Sequence, residues 1–131
     1  WPLTVPFGGK QKRLSTNPYS IGIPGGKNGP VVIDFATSMV AGGWVYSAKR
    51  LGLKLQKGCI IDRDGNPTDD PDDYFSGGAI LPAGGAKGYS LSVVAELIAE
   101  AILGPVTLEC NWLIITVDTG IFQHNSKLEA M

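Results

Sequence analysis

Few residues in this 131-residue chain have the type and spacing to do chemistry, and the first of them is a lysine in a glycine-rich turn. The stretch "LPAGGAKGYS", Leu81 to Ser90, sets Lys87 between Gly85 and Gly88, just ahead of an apolar run. A glycine turn at a helix start leaves backbone N–H groups free, and the helix dipole adds partial positive charge, so an anion is favoured there. Yet "GGAKGY" is neither G-x-x-x-x-G-K-[ST] nor G-x-G-x-x-G, so neither the P-loop nor the Rossmann mechanism follows from it. "FGGKQK" and "PGGKNG" also miss the P-loop, because no Ser or Thr follows the lysine. Two readings stay open: the turn is only the entry to a helix, or Lys87 meets a phosphate. A second polar set, Asp34, Thr37 and Ser38, emerges where the run Val31 to Ile33 ends. Strand ends of this kind hold ligands in α/β proteins; the alternative is that Asp34 and Thr37 only cap the following helix.

Other candidates fall away on their surroundings. His124 is the only histidine and lies in a polar tail over residues 123–131, and no serine or cysteine sits in a G-x-S-x-G elbow. No catalytic residue of this chain is therefore assigned. Cys59 and Cys110 lie in the apolar settings "GCII" and "ECNWLII", which reads as buried free thiols in a reducing, cytoplasmic setting rather than a disulfide. Neither has a Cys or His at metal-ligand spacing, so no metal site is expected. In "DRDGNPTDDPDDYF", Gly65 directly follows Asp64, which does not fit an EF-hand loop. The same stretch places Asp70 as a helix N-cap, Pro71 as first helical residue, and Asp72 and Asp73 at the positive helix end.

The elements that must position these groups follow from patterning. The chain is 44% hydrophobic and 18% charged with net charge -1, which suits one globular domain. That balance gives no electrostatic reason for nucleic acid as partner, and no apolar run approaches the roughly 20 residues that span a bilayer. "YSIGIP" alternates as a short strand, and Val31 to Ile33 reads as a buried strand. Thr37 or Ser38 then caps a helix to about Lys49–Leu51, with Gly42 and Gly43 marking a close backbone contact or an interruption. From Gly88 the pattern is helical. Leu91, Val94, Ala95, Ile98, Ala101 and Ile102 share one face, and Ser92, Glu96 and Glu100 form a narrow polar stripe, so most of the circumference is expected to be covered. Gly104-Pro105 ends it, and Asn111 to Asp118 reads as a last, central strand. The order points to α/β or α+β, helices packed on a sheet.

Taken together, "LSTNPYSIGIPGG", "PVVIDFATSMVAGG", "DRDGNPTDDP" and "GAILPAGGAKGYSLSVVAELIAEAILG" resemble the non-Rossmann malate/L-lactate dehydrogenase family, with its sulfolactate, ureidoglycolate, diketogulonate and cyclic-imine relatives. The resemblance runs in the same order from Trp1 to about Phe122. It implies NAD or NADP as cofactor and hydride transfer between nicotinamide and a 2-hydroxy/2-oxo acid or a cyclic imine. It also implies a homodimer and a non-Rossmann dinucleotide-binding fold. The D-x-A-T-S block maps onto Asp34, Phe35, Ala36 and Thr37 as cofactor contacts, and the G-G-x-K-G turn onto Gly85, Ala86 and Lys87. Family members are usually more than twice this length, and their proton-donating histidine lies in a segment upstream of the part this chain resembles. The 131 residues are therefore read as a cofactor-binding domain or fragment that turns over nothing alone. Ala86 stands where His is frequent, Cys110-Asn111 where Gly-His often precedes the strand, and Lys57 where an acidic residue is common. The alternative is a non-catalytic nucleotide-binding or protein-interaction module.

Overall fold

A computed structural model describes residues 2–104 and 112–121. Strands β1 (Tyr19–Ile23) and β2 (Val31–Phe35) form an antiparallel hairpin in the register Tyr19↔Phe35 to Ile23↔Val31. Helix α1 (Gly42–Leu51) follows, then β3 (Ile60–Ile61), β4 (Pro67–Thr68), the short helix α2 (Pro71–Phe75) and β5 (Ala79–Ile80). β3 is the centre of a three-stranded antiparallel sheet, flanked by β4 and β5. Helix α3 (Ala86–Leu103) comes next, and a single 3-10 turn covers Thr119–Ile121. Every strand pair among the described residues is antiparallel, which favours α+β of the two expected classes. The strands β3 to β5 have two residues each, too short for any periodicity to announce them.

The core sits between α1, α2 and the three-stranded sheet. Val45, Cys59, Ile60, Tyr74 and Ile80 are buried together, with Leu3, Val40 and Leu55 packed on them. Val5, Ile61 and Ala79 form a second cluster beneath Leu81. The N-terminal segment joins this core through its backbone: the Val5 N–H donates to the Ile80 carbonyl at 3.0 Å, and the Ile80 N–H to the Leu3 carbonyl at 3.1 Å. Cys59 is a buried free thiol, as its apolar setting suggested, and burial pushes its pKa up. Tyr74 carries the Lys12 ammonium 3.5 Å above its ring, and desolvation pushes its hydroxyl up to about 12.

Local signals hold where they are self-contained. Asp70 is the N-cap of α2 and accepts the Asp72 N–H at 2.9 Å, with Pro71 at the first helical position and two aspartates in the first turn. α1 ends at Leu51 on a left-handed Gly52 (φ 65°, ψ 27°), a conformation glycine adopts without steric cost. Its start departs from expectation. Ala41, not Thr37 or Ser38, precedes the helix, and no side chain caps it. Both hydroxyls are engaged elsewhere: Thr37 Oγ1 donates to the Thr16 carbonyl at 2.9 Å, and Ser38 Oγ to the Val40 carbonyl at 2.8 Å. Gly42 and Gly43 therefore open the helix rather than interrupt it, and Gly42 does meet Leu3 closely.

Three burial expectations are corrected. β2 is exposed along its whole length, Val32 to 63%, because among the described residues only β1 pairs with it. α3 begins at Ala86 and carries its apolar residues outward: Leu91, Val94, Leu97, Ile98 and Ile102 are exposed. The residues it buries are Gly88 and Ser92, at the head of the polar stripe. Finally, residues 112–118 form no strand, and Trp112 is 82% exposed. An extended apolar run needs a neighbouring strand to satisfy its backbone, and no such pairing forms among the described residues. Asn111, Cys110, His124 and the polar tail lie outside the described residues.

Candidate functional site

The two sequence blocks singled out for chemistry meet at their backbones. After β2 the chain passes through Ala36 and Thr37 and runs antiparallel to the turn that leads into α3, with Ser38 opposite Pro82. The Met39 N–H donates to the Leu81 carbonyl at 2.8 Å, and the Ala83 N–H to the Thr37 carbonyl at 2.9 Å. Thr37 is thus held from both sides, since its own N–H and hydroxyl both donate to the Thr16 carbonyl at 2.9 Å. It is 1% exposed.

Gly88 makes the approach possible. A Cβ at this position would lie 2.3 Å from the Ala83 carbonyl oxygen and 2.6 Å from that of Thr37, closer than real Cβ atoms come to backbone. The first turn of α3 therefore presses against both segments, and only a residue without a side chain fits between them. This puts Lys87 one residue from the contact that joins the blocks.

The turn itself differs from a phosphate cradle. Gly84 and Gly85 adopt positive φ (60° and 63°), as a tight entry requires. The N–H groups of Lys87, Gly88 and Tyr89 are spent on the carbonyls of Gly84, Ala83 and Gly85, at 3.4, 2.9 and 3.1 Å. The convergent free donors expected at a helix start are thus largely consumed within the turn, and Ala86 is the one first-turn position not so engaged. The Lys87 side chain is exposed, and its ammonium makes no ion pair among the described residues. Gly85 lies against the Phe7 ring, whose edge would sit 3.1 Å from a Cβ there.

Asp34 and Phe35 stand on exposed β2, and Phe35 stacks on Tyr19 across the hairpin at 5.8 Å between ring centroids. Phe35 and Ala36 also open onto a groove of about 660 Å³, walled by Met39, Trp44, Leu51 and Leu55. Lys87 and Gly85 do not line it, so Thr37 joins the blocks while the groove belongs to one of them. The acidic loop serves the fold. The Asp62 carboxylate accepts the N–H groups of Asp64 and Asn66 at 2.9 and 2.8 Å, and the Asn66 amide at 3.1 Å. Among the described residues no His/Cys/Asp/Glu cluster is placed to hold a metal, and no helix is long and apolar enough to cross a membrane.

Patterning passed over one residue of this region. Asn17 has φ 33°, the only positive φ outside glycine among the described residues, and its amide reaches α3 at Ser92 and Glu96. The signal in the sequence is faint: Asn tolerates the left-handed region, yet Pro18 after it favours an extended Asn17.

Comparison with known proteins agrees with the four sequence blocks. Residues 1–124 match the family described as malate/L-lactate dehydrogenase. The chain is 44% identical over 100 residues to the Delta(1)-pyrroline-2-carboxylate/Delta(1)-piperideine-2-carboxylate reductase of Pseudomonas putida, covering 76% of this chain and 29% of that protein. It is 43% identical over 98 residues to the L-sulfolactate dehydrogenase of Methanocaldococcus jannaschii, covering 75% of this chain and 28% of that protein. The crystal structure of delta1-piperideine-2-carboxylate reductase from Pseudomonas syringae superposes with a TM-score of 0.75 at 42% identity, over 85% of this chain and 34% of that one. The chain therefore spans about 30% of the length of such relatives. With the match covering nearly its whole length, the chain belongs to the malate/L-lactate dehydrogenase family.

Proposed function

We propose that this chain is the cofactor-binding part of an NAD(P)-dependent oxidoreductase that interconverts a 2-hydroxy and a 2-oxo acid, or reduces a cyclic imine. The observation that carries the reading is the junction of the two blocks: Thr37 bonded to Ala83, with Gly88 seated against both. Asp34, Phe35, Ala36 and Thr37 on one side, and Gly85, Ala86 and Lys87 on the other, are the proposed dinucleotide contacts in a non-Rossmann fold. Relatives named as reductases of cyclic imino acids and as dehydrogenases of sulfolactate and lactate support the reaction class.

The residues present fit a dinucleotide in a particular way. The exposed Lys87 ammonium, without an ion pair among the described residues, suits a pyrophosphate or ribose oxygen, because a compact cation needs no preformed fork. The spent amides of the turn do not add a cradle, so the charge of Lys87 carries more of the binding than a phosphate loop would ask of its lysine. A bound nicotinamide supplies the hydride; the protein's part is to orient it. Lys87 would hold the anionic portion, while buried Thr37 fixes the backbone beside it.

The apolar residues of β2 and α3 that stand exposed among the described residues support the homodimer and the longer enzyme that the family resemblance implies, an enzyme we place in the cytoplasm. On this reading the isolated chain is one cofactor-binding unit that binds a dinucleotide and catalyses nothing. Fluorescence titration with NADH and NADPH tests it. Saturable binding is expected, weakened roughly tenfold or more in Lys87→Ala, as loss of a charge-assisted contact would do. No oxidation of NAD(P)H is expected with pyruvate, oxaloacetate or a cyclic imine. Absence of binding by both cofactors would favour the interaction module instead.

A further inference from the structure

We propose that Asn17 is a positioning residue for the dinucleotide site, locking the turn before β1 onto α3 so that the Thr16 carbonyl holds Thr37 in place. The inference rests on the functional reading above and extends it to a residue that touches neither proposed block directly.

The geometry forms one chain of contacts. Asn17 Nδ2 donates to the Ser92 carbonyl at 3.1 Å, Ser92 Oγ at 2.9 Å and Glu96 Oε1 at 3.0 Å. Two of these groups, a backbone carbonyl and a carboxylate, only accept, so the amide nitrogen and not its oxygen faces α3. Ser92 is 1% exposed, and Asn17 supplies the partner that a polar residue buried on this helix needs. The next bond along the chain comes from Thr16, whose carbonyl accepts both the N–H and the hydroxyl of Thr37. Tyr19 adds a second tie, its hydroxyl donating to the Leu91 carbonyl at 2.8 Å.

The backbone at Asn17 points the same way. A φ of 33° is sparsely populated for any residue with a side chain, and the following proline disfavours it further. A residue persists in such a state only where its surroundings over-determine it. Here the surroundings are two turns of α3, the helix that Gly85 caps and that begins with Ala86 and Lys87. Asn17 therefore links the second and third turns of α3, through Thr16, to Thr37 beyond the end of β2. The two proposed contact blocks are braced twice, once through Gly88 and once through Asn17.

Two variants separate the amide from the backbone. Asn17→Gly keeps the positive φ and deletes the amide; Asn17→Asp keeps the shape but cannot donate to the Ser92 carbonyl and meets Glu96 as a like charge. NADH and NADPH dissociation constants and residue-resolved amide exchange are measured on the full chain, well below its unfolding temperature. Both variants are expected to raise the dissociation constant roughly tenfold, the size of one lost hydrogen-bonded anchor. Both are expected to speed exchange of the Thr37 amide by a similar factor, while Ile60 in the core is unchanged. A role in overall stability alone would instead raise exchange at Ile60 as well, and would be relieved in Asn17→Gly. Unchanged Thr37 exchange in either folded variant overturns the proposal, as does an unchanged dissociation constant where the parent chain binds. If the parent chain binds neither cofactor, the functional reading fails, and the Thr37 exchange alone still decides whether Asn17 is the brace.

Discussion

Adding one methyl group at Gly88 attacks the junction on which the functional reading depends. The new Cβ would lie 2.3 and 2.6 Å from two carbonyl oxygens and 2.8 Å from the Ala83 nitrogen, all of them backbone atoms that cannot rotate aside. Restoring ordinary contact requires the first turn of α3 to retreat by about 1 Å. That retreat strains or breaks the 2.9 Å bonds from Gly88 to Ala83 and from Ala83 to Thr37. Each bond contributes about 1 kcal/mol, and overpacking adds about 1–3 kcal/mol. Alanine returns about 1 kcal/mol through its better helix propensity. The balance is a loss of about 2–4 kcal/mol, or roughly 8–16 °C in Tm for a chain of this size. Thermal unfolding followed by circular dichroism reads this directly, with Gly43→Ala as control because a Cβ there meets nothing within 4 Å. The control is expected to be neutral or stabilised by up to about 1 kcal/mol. A Gly88→Ala chain that melts at or above the parent temperature would refute the close approach, and with it the docking of the two blocks.

Two further outcomes follow from the acidic loops and the core. The Asp62 carboxyl is held below its ordinary value first by the Asn66 N–H and side-chain amide, and that of Asp70 first by the Lys54 ammonium and then by the Asp72 N–H. Groups lowered in the folded state stabilise it above about pH 4 and lose that effect as pH falls through the folded values. Tm is therefore expected to hold from pH 7 to 5 and fall below pH 4, with a shallower fall in the Asp62→Asn/Asp70→Asn double variant; identical slopes would count against these two groups. Cys59, fully buried with its thiol pushed up, should resist a disulfide reagent in the native state and react at least about a hundredfold faster in denaturant. Labelling kinetics in a Cys110→Ser background measure this, and rapid native labelling would contradict the packing around it.

What was legible in the sequence is what neighbouring residues settle among themselves. Asp70 and Pro71 start α2 because capping needs only the next two or three residues. Apolar periodicity correctly marked α3 and β2 as elements, but burial is decided by what lies opposite. This chain turns Ser92, the first residue of the polar stripe of α3, inward, where Asn17, 75 residues away, supplies its partner, while Glu96 and Glu100 stay exposed. The apolar residues Leu91, Val94, Leu97, Ile98 and Ile102 of the helix stay exposed. The hydroxyls of Thr37 and Ser38 read as caps, and Thr37 took a carbonyl 21 residues away instead. The family blocks named the proposed cofactor contacts, Asp34 to Thr37 and Gly85 to Lys87. How they are joined, through Ala83 and Gly88, was visible only in three dimensions.

The strand of backbone from Ala79 to Ala83 has a bearing on how this protein is made. It bonds to the N-terminal segment at Val5, to Cys59 and to Thr37, so three earlier parts of the chain share one late partner. During synthesis at about 5–20 residues per second, Thr4 and Val5 wait several seconds for Ile80 to leave the ribosome. Until then the hairpin and α1 are tethered but unanchored, with the apolar residues of both open to other chains. Pausing translation while Ala79–Ala83 are still inside the ribosome should therefore lower the soluble yield, whereas pausing it after Gly88 has emerged should not.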